Sequence, residues 1–280
     1  MLTTFRAKAL AANWQHHCTL LDRAIGSMLA NTGDFQVIVV CHDLPDISHH
    51  DQRLRFVQVD IPIPCKLNYE MCVDKVVKLS IGIRKAQEDG CDYIMFSDAD
   101  DLVSNRVSEF VAQNRGPPGW FCDTQLYHRY GNKTVRLIHI PPPQVGCSVI
   151  VRSDCLDFES SPFGHWASSL PDDEAPYLQV LASRGCQVNT LAAIGHPFYS
   201  RYMDQRGTPL CPMPFPIIMV IEHYDSISHF EGGPGSAVWV DQRPLWRQWP
   251  GRAKNLARQI SKTRLLTPSL RREFGASYII

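Results

Sequence analysis

Residues 71–101 read MCVDKVVKLSIGIRKAQEDGCDYIMFSDADD, and this stretch holds the unit from which much of the chain is built. Val73, Val76, Val77, Ile81 and Ile83 lie among lysines and an arginine as on an amphipathic helix, and Gly90 provides a helix stop. The segment from Cys91 to Asp101 then reads as a strand whose apolar residues, Tyr93 to Phe96, give way to Ser97 and the acids Asp98, Asp100 and Asp101. A helix leading into a buried strand is part of a parallel α/β sheet. Carboxylates crowded at the end of such a strand repel one another unless a positive charge neutralises them.

Working outward, the same alternation precedes this unit. A first strand is expected around Phe5 to Ala11, then an amphipathic helix marked by Leu21, Ile25 and Leu29. FQVIVVCHD (35–43) reads as a fully buried second strand and RLRFVQVDIP (53–62) as a third, which makes CDYIMFSDADD (91–101) the fourth. Downstream, VSEFVAQN (107–114) is a short helix and Gly116 to Gly119 a Pro/Gly turn. The run from Trp120 to Ile140 alternates like a hairpin turning at Gly131-Asn132, and GCSVIVR (146–152) is one more strand. Ligands of open α/β sheets bind beyond the carboxyl ends of the strands, where Asp43 and Asp98 to Asp101 fall.

Composition excludes several alternatives. A chain of 280 residues, 44% apolar and 20% charged, can bury one large core. Its longest apolar run, Phe215 to Ile221, is interrupted by Pro216 and is far short of a membrane span. The first residues lack the apolar core and cleavage site of a secretory signal, so a cytoplasmic protein is expected. Ten cysteines without a C-x-x-C pair read as reduced thiols, and neither they nor the His-His pairs have zinc-site spacing. Nucleic acid is not among the expected partners.

Alternation along an extended segment would put Asp98 and Asp100 on one side, able to reach one divalent cation, with Asp101 pointing elsewhere. The competing explanation is ordinary helix capping by Asp101 or Ser104 with the other acids solvated. A lone D-x-D carries little information; its weight comes from the order of segments around it.

That order resembles the GT-A glycosyltransferases, particularly the inverting family 2 type, over about residues 1 to 230. The stretch 74–101 looks like that family's helix leading into its acidic motif. GWFCDTQLYHRYGNKTVRLIHIPPPQVGCSVIVR (119–152) looks like its hairpin and the strand behind the acceptor site. PDDEAPYLQVLASRG (171–185) is similar to the helix that opens with the catalytic acid, and IEHYDSIS (221–228) to a late His-x-x-x-Ser-x-Ser segment. The resemblance implies an α/β fold of GT-A type, a Rossmann-like sandwich with a mostly parallel central sheet and a C-terminal basic helical extension. Residues 1–240 would form the transferase domain, with 1–115 binding the nucleotide sugar and 116–240 the acceptor, and 241–280 would form the extension.

The resemblance also assigns roles. A divalent cation, Mn²⁺ or Mg²⁺, would sit on Asp100 with Asp98 and His223, Asp98 alternatively meeting the ribose, while Asp101 orients either through water. Asp43 matches the acid near the nucleobase. Lys75 and Lys78, with Ser226 and Ser228 beside His223, would meet the diphosphate. Inversion needs a carboxylate that takes up the acceptor proton; Asp173 is the first choice, then Asp172, with Glu174 left open because the count from Gly185 does not separate it from Asp173. Helix-dipole complementarity alone would also favour acids there. Trp120, Tyr127 and Tyr130 fall where the acceptor would lie, and His165 and Trp166 are the preferred platform.

The expected donor is a nucleotide diphosphate sugar, first of all a uridine diphosphate sugar, and the expected acceptor a glycan or lipid-linked hydroxyl in surface-polysaccharide synthesis. Between Gln242 and Arg272 stand nine Lys or Arg and no acid. Lys254, Arg258 and Lys262 share one helical face, so residues 251–272 read as a basic helix that docks on the protein or meets an anionic membrane surface on its cytoplasmic side. Two rival readings are a D-x-D phosphohydrolase, disfavoured by Leu102 and the three earlier strands, and a sugar-nucleotide-binding module without turnover.

Overall fold

The computed structural model describes residues 1–65, 68–140, 149–158, 180–181, 183–194, 198–222 and 262–276. The expectations placed on residues 159–179 and 223–261, including the helix opened by Asp172, lie outside them.

The central sheet contains β1 (Leu2–Thr4), β2 (Val37–Cys41), β3 (Leu54–Gln58), β4 (Tyr93–Phe96), β6 (Gly119–Phe121), β9 (Val149–Arg152) and β10 (Cys211–Pro212), in the order β10-β6-β9-β4-β1-β2-β3. Among these seven strands only β9 runs against the rest, so the sheet is mostly parallel as expected. Alternation along β2 divides its side chains between two layers. Ile38 and Val40 pack with Val73, Val77 and Ile83 of α2 (Asn68–Glu88), and Val37, Val39 and Cys41 pack with Leu21, Ala24 and Ile25 of α1 (Trp14–Leu29). The α2 helix stops where the sequence indicates, just before Gly90 at φ 76°.

The first strand is shorter and earlier than expected. Leu2–Thr4 pairs with both β2 and β4, whereas Lys8–Leu10 forms a 3₁₀ turn. The reason is local: Leu-Thr-Thr suits a pleated surface, while the alanine-rich run after Phe5 lacks the β-branched residues that favour one.

A second sheet is built from β5 (Leu102–Val103), β7 (Thr124–Arg129), β8 (Thr134–His139), β11 (Ile218–Glu222) and β12 (Thr263–Leu265), in the order β12-β8-β7-β11-β5. The hairpin expected around Gly131 is β7-β8, with Thr124 opposite His139 and His128 opposite Val135. Trp120 and Phe121, however, belong to β6 of the central sheet, where Trp120 pairs with Ile150.

The described part of the C-terminal region corrects the expectation of a basic helix through 251–272. Thr263–Leu265 is a strand that adds antiparallel to β8, and the short helix after it starts at Pro268, capped by the Thr267 side chain. Leu266, Phe274 and Ala276 are buried with Leu126, Val135 and Met219 of the second sheet. The helical period was outweighed because β8 presents an open edge whose backbone groups need partners, and Pro268 cannot sit inside a helix. The Glu273 carboxylate accepts from the Ser104 hydroxyl at 2.8 Å, and its carbonyl from the Asn105 amide at 2.9 Å, which ties this segment to the chain just past the acidic turn.

Candidate functional site

The carboxyl ends of β1, β2 and β4 and the first half of α2 meet at one edge of the central sheet. Asp43 stands two residues beyond β2, and its Oδ2 accepts the Lys8 amide at 2.8 Å, joining the loop after β2 to the turn after β1. Next to it, His42 is buried and its Nε2 lies 2.8 Å from Asp74 Oδ1. The other Asp74 oxygen accepts from Lys78 Nζ at 2.7 Å, and the same ammonium donates to the Phe5 carbonyl at 2.9 Å. Gln58 from β3 closes the group by donating to the His42 carbonyl at 2.8 Å.

Lys78 is therefore a correction. Only 1% exposed and held by two partners, it does not present its charge to a diphosphate. Burial pulls its pKa below the ordinary lysine value, and the adjacent Asp74 carboxylate opposes that shift. The signal that could have found this network is the i,i+4 spacing of Asp74 and Lys78 on an otherwise apolar helix face. His42 had no such signal, since its partner lies 32 residues away.

Lys75 behaves differently. Its Nζ lies 2.5 Å from Asp98 Oδ1, and the two side chains keep 32% and 17% of their surface exposed. The three acids do not alternate as on an extended strand. The chain turns at Ala99-Asp100, with the Asp101 amide 3.4 Å from the Asp98 carbonyl, and then enters β5 in the second sheet. Ala99 fills the core, while Asp100 and Asp101 are both buried. Burial first, then the charges of Asp100 and Asp98, raise the Asp101 pKa well above the ordinary value. A hydrogen bond from the Ile221 backbone and the charge of Lys75 act in the opposite direction.

Hard oxygen donors with excess negative charge suit a divalent cation. Among the described residues no three His, Cys, Asp or Glu side chains converge as a ready-made ligand set. A cation at this turn would thus take one or two protein carboxylates and complete its shell with oxygens of a bound ligand, the usual habit of Mg²⁺ with phosphates.

The aromatic candidates separate. Trp120 is core, 2% exposed, with Tyr93 tilted against it and Phe110 edge-on at centroid distances of 5.1 and 5.8 Å. Tyr130 is exposed, with the Arg23 guanidinium 5.6 Å from its ring centroid, and the Tyr127 hydroxyl donates to Gln125. His165, Trp166, Asp172, Asp173, Glu174, His223, Ser226 and Ser228 lie outside the described residues. The described members Asp43, Lys75, Asp98, Asp100 and Asp101 all stand at the same sheet edge.

No protein-family model and no curated protein matches the chain. Among the described residues, no helix is long and apolar enough to cross a membrane.

Proposed function

We propose that the chain is a metal-dependent, inverting glycosyltransferase of GT-A type. It would move a sugar from a nucleotide diphosphate donor, uridine diphosphate first among them, to a hydroxyl of a glycan or lipid-linked acceptor in surface-polysaccharide synthesis. The observation that carries the reading is the acidic turn at the carboxyl end of β4, where the chain leaves a mostly parallel sheet for the second sheet with Lys75 and Asp43 at the same edge. This is the edge at which open α/β sheets bind nucleotides.

In this reading Asp100 and Asp98 hold the cation, Asp101 orients the site, Asp43 faces the nucleobase and Lys75 serves the diphosphate. The cation supplies charge neutralisation at the leaving diphosphate. One acid of Asp172, Asp173 and Glu174 takes the acceptor proton as the hydroxyl attacks the anomeric carbon, Asp173 being the first choice.

Calorimetric titration with uridine diphosphate tests the donor half directly. Binding is expected with Mn²⁺ and not with excess chelator, and Asp100→Asn is expected to lose the cation-dependent binding. Equal affinity under chelation would remove the metal from the mechanism. Release of inorganic phosphate from simple phosphate esters, without nucleotide binding, would assign the turn to phosphohydrolase chemistry instead.

A further inference from the structure

Two lysines of α2, three positions apart, have opposite circumstances. Lys78 is sealed in, with Asp74 and the Phe5 carbonyl on its ammonium. Lys75 reaches the first acid of the turn, yet keeps about a third of its side chain in water. A lysine on a flexible four-carbon stem with solvent at its side can change partners by rotation. The carboxylate that it grips is one of the two assigned above to the cation.

Resting on that assignment, we propose that Lys75 is a built-in competitor of the divalent cation for Asp98, one that makes metal and nucleotide bind as a unit. An ammonium 2.5 Å from Asp98 Oδ1 and a divalent ion on the same carboxylate repel, because both are positive and lie close together on a side chain that is only 17% exposed. Loading the ion therefore displaces Lys75. A diphosphate supplies the new partner for the displaced ammonium, so the nucleotide removes the competition as well as adding its own oxygens to the ion. Ion alone binds weakly, nucleotide alone binds weakly, and each raises the other's affinity by the same factor.

The competitor can be removed without touching an acid. In Lys75→Gln, Mn²⁺ alone, followed by its electron paramagnetic resonance signal or by calorimetry, is expected to bind on the order of tenfold tighter, since a neighbouring positive charge has gone. Uridine diphosphate at saturating Mn²⁺ is expected to bind more weakly, because the ammonium that served the phosphates has gone too. Opposite signs in one variant distinguish exchange from a merely structural pair, whose loss weakens both. Lys75→Met, of similar length and uncharged, gives the same reading if the glutamine variant does not fold, and Lys75→Arg should keep Mn²⁺ affinity near that of the unaltered chain. Mn²⁺ binding that is unchanged or weaker in both uncharged variants overturns this inference alone. Absence of Mn²⁺ binding in every form, with and without uridine diphosphate, overturns the cation site and this inference with it.

Discussion

Lys78→Met tests whether the buried network behind the acidic turn is structural. The substitution keeps the aliphatic stem but leaves Asp74, whose side chain is 9% exposed, without the ammonium 2.7 Å from its Oδ2. It also strips the Phe5 carbonyl of a 2.9 Å donor at the end of β1. Removing one partner of a buried pair costs about 3–5 kcal/mol, mainly through the charge left behind. In a chain of this size each kcal/mol lowers Tm by roughly 2–4 °C, so a fall of roughly 6–20 °C is expected. His42, 2.8 Å from the other Asp74 oxygen, offsets part of the loss. If the stranded charge dominates, adding Asp74→Asn should recover at least about half of the penalty, because the uncompensated carboxylate is then absent. Urea and thermal unfolding of the two singles and the double close the cycle. A loss below about 1 kcal/mol for Lys78→Met, or a double variant no more stable than that single, refutes the reasoning.

Asp101→Asn should stabilise the chain in divalent-free buffer at neutral pH. With its folded-state pKa raised, Asp101 holds a proton that the unfolded chain releases above about 3.8, so the stability it contributes in acid is lost as pH rises through that window. The gap between Asp101→Asn and the unaltered chain should accordingly widen between pH 4 and pH 7, and a pH-independent gap in Tm would contradict the burial argument. Gly119→Ala should cost at least about 2 kcal/mol in urea unfolding, combining left-handed strain with overpacking. Gly119 has φ 153°, and a Cβ there would sit 2.1 Å from the Ile150 carbonyl oxygen, a backbone atom that cannot rotate away. Stability within about 0.5 kcal/mol of the unaltered chain would show that β6 can shift away from β9.

Much of the fold is legible in local pattern. The apolar run of β2 announces a strand buried on both faces, the periodicity of α2 and Gly90 bounds a helix, and Gly131-Asn132 marks the tip of a hairpin. These are decisions that neighbours in sequence make together, through side-chain period and backbone freedom. The cluster of carboxylates at the end of β4 was legible too, but the turn that it forms was not.

What only the tertiary structure decided involves partners far apart in the chain. Lys75 and Lys78 look alike on one helix, but the ends of β1 and β2 enclose Lys78 with Phe5 and His42, while Lys75 is left facing the end of β4. Asp101 is buried, with a hydrogen bond from the Ile221 backbone, because the chain turns to reach β5, whose partner β11 lies more than a hundred residues away. Thr263–Leu265 abandons its helical period because the edge of β8 offers backbone partners that a lone basic helix lacks. Burial and pairing at such distances depend on which surfaces the assembled sheets leave open, and no window of local sequence contains that information.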